Sequence, residues 1–276
     1  MNYGDCIGCG LCTLGCPAFE ETAFDVLTAK GRNKALQAGL EAEDMTESIW
    51  ACTLCGYCDG ICPTHVKNVE IVLKLRRDLN GPCAPSKPVS RPLVLGCTIR
   101  DRAPHLIPSI QAFLRKIGRP CEIDHECCGA LDVEAGRAMP ARSTAGVTCD
   151  PICQVDGAFL GELAMRHVDL FEFKPPFYYF VPHRLINGNH ERFYPVYAPL
   201  RERGETNFDL NRFARSTSKG SLQGLSGHQS RDIKAAVERL LKHSKAERII
   251  TCSPADYLAL KEFSGRETKF VTECLR

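Results

Sequence analysis

The spacing of apolar and polar positions changes character near residue 80. Before it, apolar residues recur at helical intervals in short runs. Glu20 to Leu27 and Asn33 to Leu40 each read as helix, and Asp44-Met45-Thr46-Glu47 offers a helix start with Ile49 and Trp50 on its apolar side. Val69, Ile71, Val72, Leu73, Leu75 and Leu79 predict a longer helix over 69–79. Between Gly81 and Pro92, four prolines in twelve residues end it, because proline lacks the N–H a helix needs; the segment suits a semi-extended linker. Beyond the linker, strand and helix patterns alternate. Leu93 to Cys97 reads as a buried strand, and Pro108 to Lys116 as a helix with Ile110, Phe113, Leu114 and Ile117 on one face. Residues 230–244 read as a helix, and Arg248 to Cys252 as a second strand. The Ser- and Gly-rich stretch from Ser216 to Ser230 reads as loop.

Composition sharpens this outline at one point, the cysteines: 17 in 276 residues. A chain this long can build real cores, so a small disulfide-stapled scaffold is excluded as a class. With 44% hydrophobic residues, 25% charged residues and a net charge of +2, neither a polybasic nucleic-acid protein nor a disordered tail fits. No apolar run approaches the roughly 18–20 residues that span a bilayer, and the N-terminus lacks the pattern of a signal peptide. A reducing, cytoplasmic compartment follows as the expectation, with attachment to the inner face of a membrane only through a partner. There, metal binding is the leading use of so many thiols. Residues 1–80 carry 7 Lys+Arg against 11 Asp+Glu and are net −4, so the remainder is net +6. Residues 171–197 hold nine of the 21 aromatics, from Phe171 to Tyr197, a density expected of a core or, alternatively, of a docking surface.

Eight cysteines fall in two copies of one pattern: Cys6-x2-Cys9-x2-Cys12-x3-Cys16-Pro17 and Cys52-x2-Cys55-x2-Cys58-x3-Cys62-Pro63. Zinc sites favour separated cysteine pairs, so this spacing points to iron–sulfur ligation. The pattern is similar to the bacterial ferredoxin run, in which three thiolates hold one 4Fe–4S cluster and the fourth serves the other cluster. That resemblance implies the sets Cys6, Cys9, Cys12, Cys62 and Cys16, Cys52, Cys55, Cys58. Gly8, Gly10 and Gly56 would let the loops turn tightly. His65 is expected to be a loop residue, since the thiol count is already complete. The 35 residues between Cys16 and Cys52, together with Ile49 to Cys58 and Ile61 to Val66, resemble the helical ferredoxin domain of fumarate reductase iron–sulfur subunits and of the C-type subunits of heterodisulfide reductase.

A third group follows the linker: Cys97, then Cys127-Cys128-Gly129, then Cys149 and Cys153. It resembles the cysteine-rich CCG domain of the B-type subunits of heterodisulfide reductase and of the iron–sulfur subunits of anaerobic glycerol-3-phosphate dehydrogenase and glycolate oxidase. Those families carry two such repeats. Three residues separate Cys149 from Cys153 where the family has two, and the stretch from Cys128 to Cys149 is short. The resemblance implies a third centre on Cys97, Cys127, Cys128, Cys149 and Cys153: a non-cubane cluster, with a conventional 4Fe–4S cluster or zinc as alternatives. A second repeat keeps the outline but not the ligands. Arg184 and Leu185 follow His183 where a cysteine is usual, Ser216 to Gly220 stands where Cys-Cys-Gly would, and Cys252 alone survives before Ser253-Pro254.

The expected architecture is therefore α+β and multidomain. Residues 1–80 form an all-α domain with two 4Fe–4S clusters, 81–92 a linker, 93–172 a first CCG repeat and 173–276 a degenerate second one. The expected function is electron transfer within a larger oxidoreductase, beside a flavoprotein or a quinone or thiol partner. No Gly-x-Gly-x-x-Gly fingerprint follows a strand, so a nicotinamide or flavin would be the partner's. Two alternatives remain. One is a thiol, heterodisulfide or quinone reductase reacting at the third centre, with Cys127, Cys128, His183 and Cys252 as candidate catalytic groups. The other is a zinc-stabilised interaction domain attached to a ferredoxin.

Overall fold

The computed structural model describes residues 2–81, 84–85, 90–123, 127–139, 143–153, 155–217 and 233–276. The described residues up to 81 form only helices and turns: α1 (Pro17–Thr22), α2 (Ala29–Gln37), α3 (Thr46–Ala51), α4 (Tyr57–Gly60) and α5 (Asn68–Asn80). Pro17 opens α1 with its φ already set for a helix. The helix expected from Glu20 to Leu27 splits, because Ala23 turns left-handed after α1 and Asp25–Leu27 is a single 3-10 turn. Thr28 then caps α2, its hydroxyl accepting from the Gly31 N–H at 3.2 Å. A side chain at Gly31 would meet the Asp25 carbonyl oxygen at 2.3 Å, so α2 can lie against that turn only with glycine there. The amphipathic α5 buries Ile71, Val72 and Leu75 against Ile49, Leu54 and Val66, which form the core of this part.

From residue 84 on, strands and helices alternate. Elements β1 (Ala84–Pro85), β2 (Ser90–Val94), α6 (Cys97–Arg102), α7 (Ile107–Lys116), α8 (Ala130–Glu134), β3 (Ala138–Met139), β4 (Ser143–Thr148), β5 (Val155–Phe159) and α9 (Leu160–Arg166) come first. They are followed by β6 (Phe177–Phe180), α10 (His183–Gly188), α11 (His190–Tyr197), β7 (Glu205–Thr206), α12 (Ile233–Leu241), β8 (Arg248–Thr251), α13 (Pro254–Phe263) and β9 (Glu267–Phe270). All sheets are parallel, in the orders β1-β3, β2-β4-β5 and β7-β6-β8-β9. The mixture of helices and parallel sheets agrees with the expected α+β class.

Several boundaries move. Part of the expected linker is sheet, since Ala84–Pro85 pair with Ala138–Met139 and β2 begins at Ser90; residues 82–83 and 86–89 lie outside the described residues. Cys97 opens α6 instead of closing a strand, and His183 opens α10. Of the loop expected from Ser216 to Ser230, residues 218–230 lie outside the described residues. The aromatic run is core: Phe171, Phe173, Phe177, Tyr178, Tyr179, Phe180, Phe193 and Tyr197 are buried. Leu93, Val147 and Phe159 from the first large sheet and Tyr179, Ile250 and Phe270 from the second belong to one continuous apolar cluster. Among the described residues no helix is long and apolar enough to cross a membrane.

Candidate metal centres

The cysteine runs converge across each other. Cys6, Cys9, Cys12 and Cys62 line one small cavity together with Gly8, Gly10, Lys30 and Asn33. Cys16, Cys52, Cys55 and Cys58 line a second, which Cys12 also borders. The last cysteine of each run thus faces the other run's cavity. Gly8, Gly10 and Gly56 take φ of 77°, 83° and 78°, in the left-handed region, where they turn the loops. Main-chain N–H groups already point at sulfur: Leu54 donates to Cys52 Sγ at 3.5 Å and Val66 to Cys62 Sγ at 3.4 Å. Burial pushes Cys12 up to about 11 and Cys55 up to about 12. Four thiols around each cavity are the donor set that a 4Fe–4S cluster takes.

The third thiol group surrounds a cavity of about 240 Å³, against about 20 Å³ for each of the other two. Cys97, Cys127, Cys128 and Cys153 line it, with Thr98, Asp101, Arg102, Asp150 and Ala255. Cys97 Sγ lies 3.4 Å from Cys127 Sγ, and Cys128 Sγ 3.3 Å from Cys153 Sγ. Gly129, at φ 74°, turns the chain from the cysteine pair into α8, and its N–H donates to Cys127 Sγ at 3.4 Å. Burial pushes Cys97 up to about 12, whereas the hydrogen bond between Cys128 and Cys153 draws Cys128 down to about 7. Cys149, the fifth expected ligand, is not among the lining residues. Its N–H donates to the Val94 carbonyl at 2.9 Å, which continues the strand, and its side chain is fully buried in the apolar core. Asp150, one residue on, reaches the cavity instead; burial pushes its carboxyl up to about 6. Among the described residues no three His, Cys, Asp or Glu side chains close on an ion-sized point; the thiols line cavities.

His183 and Cys252 lie outside this cavity. His183 is buried, with Nδ1 3.5 Å from Asp256 Oδ2 and Nε2 3.2 Å from Ser216 Oγ. Burial raises the Asp256 carboxyl, but the imidazole and hydrogen bonds from Thr217 and Ser253 outweigh it and hold the group below its ordinary range. His183 and Asp256 border a smaller pocket that shares Ile152 and Ala255 with the large cavity. Cys252 is fully buried, 3.6 Å from the Tyr197 hydroxyl.

Two buried polar side chains also reach the cysteine loops. Arg76 on α5 is 2% exposed and donates to the carbonyls of Cys52 at 2.7 Å, Ile49 at 3.3 Å and Glu134 at 2.8 Å. Asn187 on α10 donates to the carbonyls of Cys55 at 3.2 Å and Ala214 at 2.9 Å, and accepts from the Ala214 N–H. Tyr57 adds a hydrogen bond to Asp209 at 2.8 Å and an edge contact with Phe213. A helical arginine and an asparagine carry no spacing signal, so nothing in the sequence marked them.

Residues 3–66 match the family described as 4Fe-4S dicluster domain. Over 71 residues the chain is 41% identical to a CoB–CoM heterodisulfide reductase iron-sulfur subunit of Methanocaldococcus jannaschii, covering 26% of this chain and 37% of that protein. It is 35% identical over 74 residues to a subunit of the H(2):CoB-CoM heterodisulfide,ferredoxin reductase of Methanothermobacter marburgensis, covering 26% and 38%. It is 28% identical over 75 residues to the fumarate reductase iron-sulfur subunit of Escherichia coli O157:H7, covering 24% and 31%. The chain thus spans about a third of the length of these relatives. Its N-terminal part is a 4Fe–4S dicluster domain, similar to iron–sulfur subunits of heterodisulfide and fumarate reductases.

Proposed function

We propose that the chain is an iron–sulfur electron-transfer subunit of a larger oxidoreductase. In this reading Cys6, Cys9, Cys12 and Cys62 hold one 4Fe–4S cluster, and Cys16, Cys52, Cys55 and Cys58 hold the other. Both exchange electrons with a third centre at Cys97, Cys127, Cys128 and Cys153, and with a flavoprotein or a quinone or thiol partner. The observation that carries the reading is the exchange of Cys16 and Cys62 between the two runs, which supports two complete four-thiol sets side by side in one domain. The relatives' names are those of reductase subunits, which supports a place in a complex. The parallel sheets β2-β4-β5 and β7-β6-β8-β9 support residues 93–172 and 173–276 as two CCG-type repeats, the second without a ligand set. Cys252 and Cys274, its two cysteines, are buried in the core. Anaerobic purification of the whole chain with iron, sulfide and zinc analysis tests this. About eight irons per chain are expected for two clusters, and more with a third. Fewer than about six, or about one redox-silent zinc per chain at the third centre, would reject the corresponding part.

The larger third cavity favours a second reading, in which that centre is also a reaction site. About 240 Å³ exceeds the space at the dicluster sites more than tenfold and leaves room beside the thiols for a small substrate. Loss of turnover with the physiological donor in Cys127→Ser, with the dicluster signals intact, is the outcome this reading requires. Full turnover in that variant rejects it.

A further inference from the structure

The two dicluster sites are not equivalent in what surrounds them. In the first-run set Cys9 is exposed, whereas in the second-run set Cys55 is buried. The second-run loop is held by two buried side chains that lie outside the matched 3–66 segment. Arg76 places a fully buried guanidinium on the Cys52 carbonyl and, from the same group, on the carbonyl of Glu134. Glu134 ends α8, the helix that starts directly after Cys127-Cys128-Gly129. Its own carboxylate, fully buried, lies 2.6 Å from Arg184 on α10. Three residues further along α10, the Asn187 amide holds the Cys55 carbonyl. An unbroken path of hydrogen bonds and main chain therefore joins the second-run loop to the third thiol set, with a buried cation at its midpoint.

An added electron makes a cluster more negative. A buried positive charge stabilises that form far better than an exposed one, and donors to ligand-loop carbonyls act in the same direction. We propose that Arg76 and Asn187 are positioning residues that raise the potential of the cluster on Cys16, Cys52, Cys55 and Cys58 above that of its neighbour, making it the one that faces the third centre. This rests on the two-cluster reading above. Electrons arriving at the exposed site then settle on the inner one, beside the α8 path.

The test is a potentiometric titration of the full iron-replete chain, following the paramagnetic signal of each cluster, in wild type, Arg76→Lys, Arg76→Gln, Asn187→Ala and Lys74→Gln. Lys74 is the control, an exposed cation on the same helix paired with Asp78. The inner cluster of the wild type is expected to be reduced first. Arg76→Gln lowers its midpoint and narrows or reverses the gap, Arg76→Lys lowers it less, Asn187→Ala lowers the same midpoint, and Lys74→Gln moves neither. An unchanged gap in the folded variants, or equal shifts of both clusters, overturns the proposal and leaves Arg76 a packing residue. Should Arg76→Gln not fold, Arg76→Lys and Asn187→Ala decide by the same readout. Iron analysis of the samples separates the two failures. Fewer than about six irons per chain rejects the two-cluster reading itself, whereas full loading with an unmoved gap rejects only the role of these side chains.

Discussion

Cys62 closes the second cysteine run in sequence yet lines the cavity of Cys6, Cys9 and Cys12, while Cys16 stands with Cys52, Cys55 and Cys58. Each four-thiol set therefore depends on a residue tens of positions from its other members. This exchange has a direct consequence for substitution. Cys62→Ser and Cys9→Ser are expected to abolish the same paramagnetic signal, whereas Cys55→Ser and Cys16→Ser abolish the other, each lowering iron by about four per chain. If Cys62→Ser instead matched Cys55→Ser, the ligand sets would follow sequence order and the crossed assignment would fall. At the third centre, Cys149 and Cys153 show how a short interval decides a role. Cys149 directly follows β4, still bonded to the Val94 carbonyl, with its side chain in the core; beyond it the chain turns, with the Cys153 N–H bonded to the Asp150 carbonyl at 3.0 Å, and Cys153 reaches the cavity. Cys149→Ser is therefore expected to act through the core, lowering stability while leaving metal content at the third centre unchanged, as unfolding curves and metal analysis would report. Loss of metal from that variant alone would return Cys149 to the ligand set.

Helix α5 passes close against the turn after α8. Gly136 sits there with φ 73°, and a Cβ on it would lie 2.5 Å from the Arg76 carbonyl carbon and 2.7 Å from the Arg77 nitrogen. Main chain cannot rotate aside as a side chain can, so Gly136→Ala must push α5 away from α8. Gly118 has a similar φ of 70° with nothing near its added Cβ. Gly118→Ala is thus expected to cost only the left-handed strain, about 1–3 kcal/mol, and Gly136→Ala distinctly more, measured as urea midpoints of the two variants. Equal losses would mean that the α5–α8 contact yields easily. The same pair of elements shows what the sequence discloses. Helix α5 is legible because Ile71, Val72 and Leu75 recur on one face, and the cysteine runs because spacing alone encodes the ligand loop. Strands β4 and β5 are not, since Gly146 and Gly157 take the place of apolar residues where neighbouring strands come close: added Cβ atoms would meet the Pro92 and Ala145 carbonyl oxygens at 2.6 and 2.2 Å. Arg76 is hidden for another reason. On an amphipathic helix an arginine reads as a solvated edge, and its partners Cys52 and Glu134 lie 24 and 58 residues away.

Across the whole molecule the thiol sites differ chiefly in cover. Around the first-run site Ile7 is 67% exposed and Leu11 39%, and Cys9 itself is exposed. The second-run site lies beneath Tyr57 and Phe213, both buried, and Asn187 closes it from α10. A side chain at Gly60 would meet Phe213 at 2.4 Å, so the α/β part lies directly against this loop. The C-terminal part, in which Arg184 and Leu185 follow His183, thus offers a surface that packs against the dicluster domain on the side of the second-run loop. Exposure and solvent access govern how readily a cluster is attacked and where its potential lies. Brief treatment with ferricyanide is therefore expected to degrade the first-run cluster well before the second, seen as stepwise loss of the two paramagnetic signals. Phe213→Ala, which opens the cover while leaving every cysteine in place, should accelerate loss of the second signal and leave the first unchanged. Simultaneous decay in the wild-type protein would show that access does not distinguish the sites. An unaltered rate in Phe213→Ala would show that the protection comes from the dicluster domain's own loops and not from the unit packed against them.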